Sequence, residues 1–437
     1  MTAPGREREV FVKSAGKSAF VLGSARIPFF KSQTSYLRVT RLELMTVALA
    51  GLVERHKLEG RLIGDTALGA VVNSVRDFNL AREAVLSTGL HPESPAYNVQ
   101  RACGTGLETA WQIALKLHTG AISTGIAGGV DTNSDVPIEI STRLRDVILD
   151  LGRAPTLLAK ANVLRGLRLG DLKPVIPNIN EPRTGLSMGE HTEKMVKEWQ
   201  ISRAEQDELA LASHRKAAKG YEAGFFDDLV VQFQGLTRDG IVRTDTSLEK
   251  LAKLKTAFDP SPAGTLTAGN SSPLTDGAAC VLLANEDGAA ELGVKPLARL
   301  VDVAVTAVDY VAGAGLLMAP AKAVAQLLQR NRLAFADFDY MEIHEAFAGQ
   351  VLCTLKAWES EEYCRNTLKL SGALGKVDRK RLNVMGSSVA VGHPYAATGA
   401  RITGTLAKLL ARNGAKRGLI SICTAGGMGI AAIMESA

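Results

Sequence analysis

Residues 101–106 read Arg-Ala-Cys-Gly-Thr-Gly, a turn of small residues with one reactive side chain, and Leu107–His118 follows with apolar residues at helical spacing. Tyr97–Gln100 before the turn and Ile126–Val130 after the helix are short runs typical of strands. A strand, a turn that opens a helix and a second strand make up one unit of an α/β sheet. The pattern around Cys103 therefore predicts an α/β architecture.

The second half of the chain repeats this order. Residues 392–399 read Gly-His-Pro-Tyr-Ala-Ala-Thr-Gly, Gly399–Arg412 has helical spacing, and the apolar run Gly418–Cys423 leads into Ala425–Gly427. The shared order of elements, rather than repeated letters, indicates an internal duplication. Further strands are predicted at Ser18–Ser24, Leu68–Asn73, Ala279–Leu283, Ala298–Thr306 and Tyr340–Ile343, and further helices at Leu42–His56 and Ala319–Gln329.

Composition restricts the class of protein. With 437 residues, 46% hydrophobic and 22% charged, the chain resembles an ordinary globular protein of two or three domains. No run of 18 apolar residues predicts a membrane helix. Five cysteines without a C-x-x-C pair do not form a disulfide scaffold, and Met1–Lys17 has no apolar core typical of a secretory signal, so we expect a cytoplasmic location.

The net charge of +6 suits anionic ligands such as phosphorylated cofactors. Aromatic residues make up only 5% of the chain, and there is no dense Lys/Arg run or finger motif, so we expect no nucleic-acid partner.

A segment between the halves, about 140–268, has a different character, with proline-broken basic stretches and polar helices. Residues 141–173 carry seven Lys or Arg against three Asp, a net charge of +4, with leucines interleaved. One interpretation is the solvated face of a helical insertion. The others are a cover over an anionic substrate, a membrane-surface patch or a docking site.

Three segments resemble functional motifs but lack the structural context or the residue that the function requires. Gly185–Gly189 fits the G-x-S-x-G turn of serine hydrolases, but the three prolines of Pro174–Arg183 exclude the strand that must precede it. Gly427–Ala432 imitates a dinucleotide fingerprint but lies too near the chain end to form its βαβ unit. His344–Glu345 begins like H-E-x-x-H, yet residue 348 is alanine, so we expect no metal site.

Two cysteines and two histidines in glycine-rich surroundings indicate acyl transfer through a thioester. Cys103 precedes a predicted helix, whose dipole would lower its pKa, and its small neighbours would leave room for an acyl group. His393 could accept the Cys103 proton, and Cys423 could exchange a proton with a substrate carbon. Backbone N–H groups in the glycine-rich turns could form an oxyanion hole.

Four segments together resemble the thiolase family: the turn around Cys103, His344–Phe347 (H-E-A-F), Gly392–Gly399 (G-H-P-x-x-A-T-G) and Cys423–Gly429 (C-x-x-G-G-x-G). The resemblance extends across nearly the whole chain. It also includes Arg26–Pro28, Gly128–Asp131, Met188–Glu193, Ser202–His214 and Gly264–Gly277 (GTLTAGNSSPLTDG). The motifs are closest to those of β subunits of fatty-acid-oxidation trifunctional complexes, which also have His where many thiolases have Asn at position 344.

The resemblance implies a role for each matching residue. Cys103 would be the acylated nucleophile, His393 its activator and Cys423 the acid/base for the acetyl-CoA carbanion. His344 would hold a water or donate directly to the thioester oxygen in a first oxyanion hole. The backbone N–H groups of Cys103 and Ala425 would form a second hole, and Ser272 would contact the pantetheine arm of CoA.

Several positions depart from the family pattern. Ala425 stands where glycine is common, although a backbone donor survives the change. Ser187 replaces the histidine usual just before M-G-x-T-A-E, which leaves one CoA contact of short-chain biosynthetic relatives without its side chain.

The implied fold is two duplicated halves in a five-layered αβαβα core with an inserted loop domain. We expect an N-terminal half at 1–139, completed by about 269–290, a loop domain at 140–268 over the active site, and a C-terminal half at 291–437. The family fold implies a homodimer or homotetramer. An α-type hydratase/dehydrogenase partner or a peripheral membrane contact would involve residues 141–173.

The implied reaction is thiolytic cleavage of 3-ketoacyl-CoA by CoA in fatty-acid β-oxidation. CoA and acyl-CoA are then substrates, and no cofactor is permanently bound. Two alternatives remain: a short-chain acetyl-CoA acetyltransferase that forms acetoacetyl-CoA, and a non-catalytic thiolase-like lipid carrier.

Overall fold

The computed structural model describes residues 16–176 and 180–437, so nearly all of Met1–Lys17 lies outside the described residues. The strands within them are β1 (Ala19–Arg26), β2 (Phe30–Lys31), β3 (Asp65–Leu68), β4 (Ala96–Asn98), β5 (Thr124–Asp131), β6 (Thr275–Ala284), β7 (Ala298–Ala307), β8 (Tyr340–Ile343), β9 (Arg417–Thr424) and β10 (Met428–Ser436).

The α-helices are α1 (Arg41–Arg55), α2 (Leu80–Leu86), α3 (Thr105–His118), α4 (Thr142–Arg153), α5 (Leu157–Arg165), α6 (Met188–Glu198), α7 (Arg203–Glu222), α8 (Leu248–Ala252), α9 (Glu286–Leu292), α10 (Ala319–Asn331), α11 (Ala348–Glu359), α12 (Glu361–Asn366), α13 (Ser388–Val391) and α14 (Ala397–Asn413).

The strands of the two halves pair in the same pattern. In the first half the order is β4-β3-β5-β6-β1, with β3 parallel to β4 and β5, and β6 antiparallel to β5 and β1. In the second half the order is β8-β9-β10-β7, with β9 parallel to β8, and β10 antiparallel to β9 and β7. The predicted duplication is confirmed by these matching directions, and a short β1–β7 pairing joins the two sheets.

Five layers result from the packing of helices on these sheets. Helices α3 and α14 contact each other and strands of both sheets, so they form the central layer. Helices α1 and α2 cover the other face of the first sheet, and α10 and α11 cover the other face of the second. The predicted αβαβα core is therefore confirmed. Since α3 and α14 begin side by side, the reactive turns that precede them come to the same place.

Most predicted elements lie within two or three residues of the observed ones, and Tyr340–Ile343 agrees at both ends. The strand predicted at Leu68–Asn73 is wrong, since β3 ends at Leu68. The Asp131 carboxylate accepts hydrogen bonds from the N–H groups of Val71 and Val72 and holds this segment outside the sheet. Strand β10 was missed, because that segment was considered only as an incomplete nucleotide motif.

The segment between β5 and β6 contains α4 to α8. The α4 helix buries only Val147, and α5 buries none of its residues, so both lie on the protein surface. Among the described residues, no helix is both long and apolar enough to cross a bilayer. The predicted boundaries at 139/140, 268/269 and 290/291 stay a prediction.

Candidate active site

The Cys103 turn is held in a strained backbone conformation. Ala102 has a φ of 42°, in the left-handed region that non-glycine residues seldom adopt. The Thr105 hydroxyl stabilises this turn, since it donates to the Ala102 carbonyl (2.7 Å) and accepts from the Arg101 N–H (2.8 Å). Helix α3 begins at Thr105, so Cys103 lies just before the first turn of the helix.

The small residues around Cys103 allow close packing rather than space for an acyl group. A Cβ on Gly106 would lie 2.5 Å from the backbone nitrogen of Ala400, and one on Gly104 would lie 2.8 Å from the Ile430 side chain. On the facing helix, a Cβ on Gly399 would lie 2.2 Å from the backbone nitrogen of Leu107. The expectation that residues 104 and 106 leave room for substrate is therefore wrong. They let α3 and α14 approach closely.

His393 faces Cys103 from the other half of the chain. Its Nε2 lies 3.2 Å from the Cys103 sulfur, and its Nδ1 lies 2.7 Å from the hydroxyl of Thr398. The Thr275 hydroxyl accepts the His393 backbone N–H, which fixes the turn before α14. If Nδ1 carries the ring proton and donates to Thr398, Nε2 is free to accept the thiol proton.

His344 lies at the end of β8, directly beside His393. The two ring centroids are 4.1 Å apart. The His344 Nδ1 lies 2.8 Å from the hydroxyl oxygen of Ser388, while Nε2 is buried and has no hydrogen-bond partner among the described residues. The ligand atoms of Cys103, His344 and His393 all lie within 4.8 Å of one another.

Cys423, at the end of β9, completes the cluster. Its side chain is buried, and the Cys103 sulfur and the backbone N–H of Ala346 act electrostatically on its thiol. The backbone N–H groups of Ala425 and of Cys103 itself act on the Cys103 thiol, against the larger effect of burial, to lower its pKa. The structure thus brings Cys103, His344, His393, Cys423 and the two backbone donors together.

Burial keeps these groups neutral. It raises the pKa of the Cys103 thiol to about 12, although part of the side chain is accessible, and it raises the pKa of Cys423 well above its usual value. Burial also lowers the pKa of His393 to about 3 and that of His344 well below its usual value. The expected lowering of the Cys103 pKa is wrong as a net effect, because desolvation outweighs the nearby N–H donors.

Ser272 lies beside this cluster. Its hydroxyl donates to the Ala346 carbonyl at 2.8 Å, and its backbone N–H donates to the same oxygen. It is thus connected to the H-E-A-F segment, while its contact with pantetheine stays a prediction.

Two buried carboxylates, Asp131 and Glu345, hold the turns of the site in place, although the sequence patterns assign them no role. Asp131 accepts the backbone N–H of Ala396 at 2.9 Å and so ties β5 to the start of α14. Glu345 accepts hydrogen bonds from the side chains of Ser213 and Asn383, both at 2.7 Å. Asp131 and Glu345 stand in the quoted motifs, but those letters do not reveal their partners.

The segment between the halves also supports the site. Glu181 accepts the backbone N–H of Gly426 at 2.7 Å, and the Tyr310 hydroxyl donates to its other oxygen. Ser187 caps helix α6 through the backbone N–H of Glu190, which explains why its G-x-S-x-G surroundings do not form a nucleophile turn.

The spacing of Cys103, His344 and His393 would suit a thiophilic divalent cation. Such binding needs one unprotonated ring nitrogen on each histidine and a deprotonated Cys103 sulfur, whereas burial favours the protonated thiol. The expectation that no metal is bound stays a prediction.

The comparisons with known proteins cover both halves. Residues 19–287 match the family described as "Thiolase, N-terminal domain", and residues 294–436 match "Thiolase, C-terminal domain". A protein named 3-ketoacyl-CoA thiolase from Pectobacterium atrosepticum is 40% identical over 432 residues, 98% of each chain. One of the same name from Serratia proteamaculans is 41% identical over 427 residues, 96% of this chain and 97% of that protein.

A solved structure has the same fold. The crystal structure of the Bacillus anthracis acetyl-CoA acetyltransferase superposes with a TM-score of 0.80 and is 31% identical, covering 97% of this chain and 99% of that one.

Proposed function

Since the chain belongs to the thiolase family, we propose that it cleaves 3-ketoacyl-CoA with CoA, giving acetyl-CoA and an acyl-CoA shortened by two carbons. The observation that carries this proposal is the 3.2 Å contact between His393 Nε2 and the Cys103 sulfur, with Cys423 in the same cluster. The chemistry fits degradation of fatty acids by β-oxidation.

In the first half-reaction, Cys103 gives its proton to His393 Nε2 as its sulfur attacks the keto carbon. The bond between C2 and C3 of the substrate then breaks, and Cys423 protonates the C2 carbanion, which leaves as acetyl-CoA. The N–H groups of Cys103 and Ala425 stabilise the oxyanion at C3, while His344 stabilises the enolate oxygen of acetyl-CoA, directly or through a water.

In the second half-reaction, the CoA thiol gives its proton to the Cys423 thiolate and attacks the acyl-enzyme thioester. Cys103 leaves as a thiolate and recovers its proton from His393, so all four groups return to their starting state. Because both sulfurs and both imidazoles start neutral, each proton moves in the step that needs it, and the resting site holds no thiolate that is exposed to oxidation.

The decisive experiment measures CoA-dependent thiolysis across a chain-length series of 3-ketoacyl-CoA substrates, together with radioactive acyl transfer to the protein. We expect cleavage beyond four carbons and one acyl group per chain, lost in Cys103→Ala and kept in Cys353→Ala, a buried thiol on α11. Stoichiometric acylation of Cys103→Ala would eliminate this nucleophile.

The same assay separates the alternatives. Activity confined to acetoacetyl-CoA would favour a short-chain acetyl-CoA acetyltransferase, and the superposed Bacillus anthracis protein is named an acetyl-CoA acetyltransferase. Absence of both thiolysis and acylation would favour a lipid carrier. The presence of all four reactive groups in one cluster supports an enzyme instead.

The assembly we propose is at least a homodimer, with a homotetramer as the larger form. Strand β4 is an end strand of the sheet and directly precedes the Cys103 turn, and the nearby Val75 and Phe78 are largely exposed.

All five cysteines are free, which suits a reducing compartment, and we retain the cytoplasm as the proposed location.

The outer face of the insertion is proposed to contact an anionic membrane surface. Leu157 and Leu158 are 86% and 72% exposed, and Arg153 and Lys160 flank them in the sequence. Replacing Arg153, Lys160, Arg165 and Arg168 by Gln should weaken binding to anionic vesicles and leave thiolysis unchanged. If the variant still bound vesicles but no longer bound an α-type hydratase/dehydrogenase, this face would be a subunit contact. If neither interaction changed, the face would be a solvated surface.

A further inference from the structure

Ser388, the first residue of α13, is buried between two other polar side chains. Its oxygen lies 2.8 Å from Nδ1 of His344 and 2.8 Å from Nη2 of Arg401. These contacts join the histidine of the proposed site to a buried guanidinium that belongs to α14.

The number of available protons determines which atom donates and which accepts in each of these two hydrogen bonds. A guanidinium only donates hydrogen bonds, so the Ser388 oxygen accepts from Arg401. The single Ser388 hydroxyl proton then points to an acceptor, and Nδ1 of His344 is the acceptor within reach among the described residues. The reverse arrangement would leave a buried hydroxyl proton without an acceptor, which is unfavourable.

The His344 ring proton is therefore on Nε2. That atom is buried and has no hydrogen-bond partner among the described residues, and one ring nitrogen of His344 lies within 4.8 Å of the Cys103 sulfur and of a ring nitrogen of His393. A buried N–H without a protein partner is available to donate to a substrate oxygen or a bound water.

Arg401 has acidic neighbours that keep its charge. The carboxylates of Glu342 and Glu345 attract it electrostatically, and although burial lowers its pKa to about 10, it remains protonated at neutral pH. Neither oxygen of the buried Glu342 has a hydrogen-bond partner among the described residues, so neither competes with Ser388 for the Arg401 guanidinium.

We infer that Ser388 and Arg401 are positioning residues that fix His344 as the Nε2–H tautomer, which makes it a dedicated donor to the thioester oxygen. The inference rests on the proposed function for its substrate, but the tautomer itself does not. An asparagine at position 344 would present an amide N–H in any protonation state and would need no such control.

A double-mutant cycle tests this inference. We expect Ser388→Ala to lower kcat for thiolysis about tenfold with KM within about threefold, because the ring then populates both tautomers. Ser388→Thr, which keeps the hydroxyl, should restore kcat to within about threefold of the unchanged protein. In the His344→Asn background, Ser388→Ala should change kcat less than about twofold.

Two results would overturn the inference. One is an equal loss from Ser388→Ala in both backgrounds, which would mean that Ser388 only supports the structure. The other is no loss in either background. Thermal unfolding of each variant checks that the fold survives.

A spectroscopic measurement separates this inference from the proposed function. In protein with ¹⁵N-labelled histidine, the His344 signals are assigned by their loss in His344→Asn. We expect a protonated Nε2 and an unprotonated Nδ1, with a mixed pattern in Ser388→Ala. A protonated Nδ1 would refute the tautomer whatever the enzyme cleaves, whereas absence of thiolysis with the expected tautomer would refute the proposed function alone.

Discussion

The site has two sides that use the same residue types in opposite ways. On the nucleophile side, formed by Cys103 and His393, Nδ1 of the ring faces the Thr398 hydroxyl and Nε2 faces a sulfur. On the carbanion side, formed by Cys423 and His344, Nδ1 faces a hydroxyl that already accepts from Arg401. One imidazole is thereby an acceptor toward the substrate and the other is a donor.

This difference shows that the role of each histidine depends on the hydrogen bonding of its Nδ1 atom, which faces a hydroxyl and not the substrate. Both rings are buried and neutral, and they nearly touch, so neither burial nor charge distinguishes them. Each ring has a hydroxyl at Nδ1, and the two hydroxyls differ because the Ser388 oxygen already accepts a hydrogen bond from Arg401. The nucleophile side also needs both halves of the chain, whereas the carbanion side comes from the C-terminal half alone.

The largest expected effect comes from removing the base on the nucleophile side. His393→Ala should lower both thiolysis and acylation of Cys103 about 1,000-fold, since the thiol then has no acceptor for its proton. Stopped-flow CoA release and radioactive acylation measure the two steps. His91→Ala, at a half-buried histidine whose ring accepts the Glu93 N–H, is the control. An acylation rate of His393→Ala that stays near that of the unchanged protein would dismiss His393 as the base.

A change on the carbanion side should separate the two sides. We expect Cys423→Ser to lower thiolysis about 100-fold or more, because a hydroxyl is a far weaker acid than a thiol. Acylation of Cys103 by a simple acyl-CoA breaks no carbon–carbon bond, so one radioactive acyl group per chain should still form in this variant. Equal turnover in this variant would remove Cys423 from the mechanism.

A smaller effect is expected from Thr398→Val, which removes the acceptor at Nδ1 of His393. Thiolysis should fall about tenfold, because the ring loses the partner that keeps Nε2 free. Thr403→Val is a matched control on the same helix, since its hydroxyl donates to the Gly399 carbonyl and not to the site. Equal losses in both variants would point to damage of α14 rather than to the ring.

The smallest effect concerns pH. With its pKa lowered to about 3, His393 stays neutral at pH 5.5, so kcat/KM should change less than about twofold between pH 7.5 and 5.5. An ordinary imidazole of pKa about 6.5 would lose about 90% of its neutral form over this range. A tenfold decline would contradict the burial argument.

Stability needs a separate check in that experiment. Because the folded pKa of His393 is depressed, the unfolded chain binds a proton first as the pH falls below about 6.5, and folding becomes less favourable down to about pH 3. Circular dichroism at each pH distinguishes such unfolding from a loss of the base.

The fold was predictable where the order of apolar, polar and small residues follows the periodicity of a strand, a turn or a helix. The buried strands, the helices after each reactive turn and the duplication follow from short-range periodicity. The missed strand β10 shows the limit of this approach, since its glycine-containing start imitates a nucleotide-binding turn and hides the apolar run that follows. The early end of β3 depends on Asp131, which lies 60 residues farther along the chain.

The sequence by itself determined which residue types could do the chemistry, because reactivity belongs to a thiol or an imidazole wherever it stands. Only the tertiary structure decided which of these groups meet, whether they are charged and which ring nitrogen carries the proton. Packing of α3 against α14 brought Cys103 to His393, burial outweighed the helix dipole on the thiol, and hydroxyls from other turns directed each ring proton. Desolvation and hydrogen-bond partners depend on atoms distant in the chain, so local sequence does not encode them.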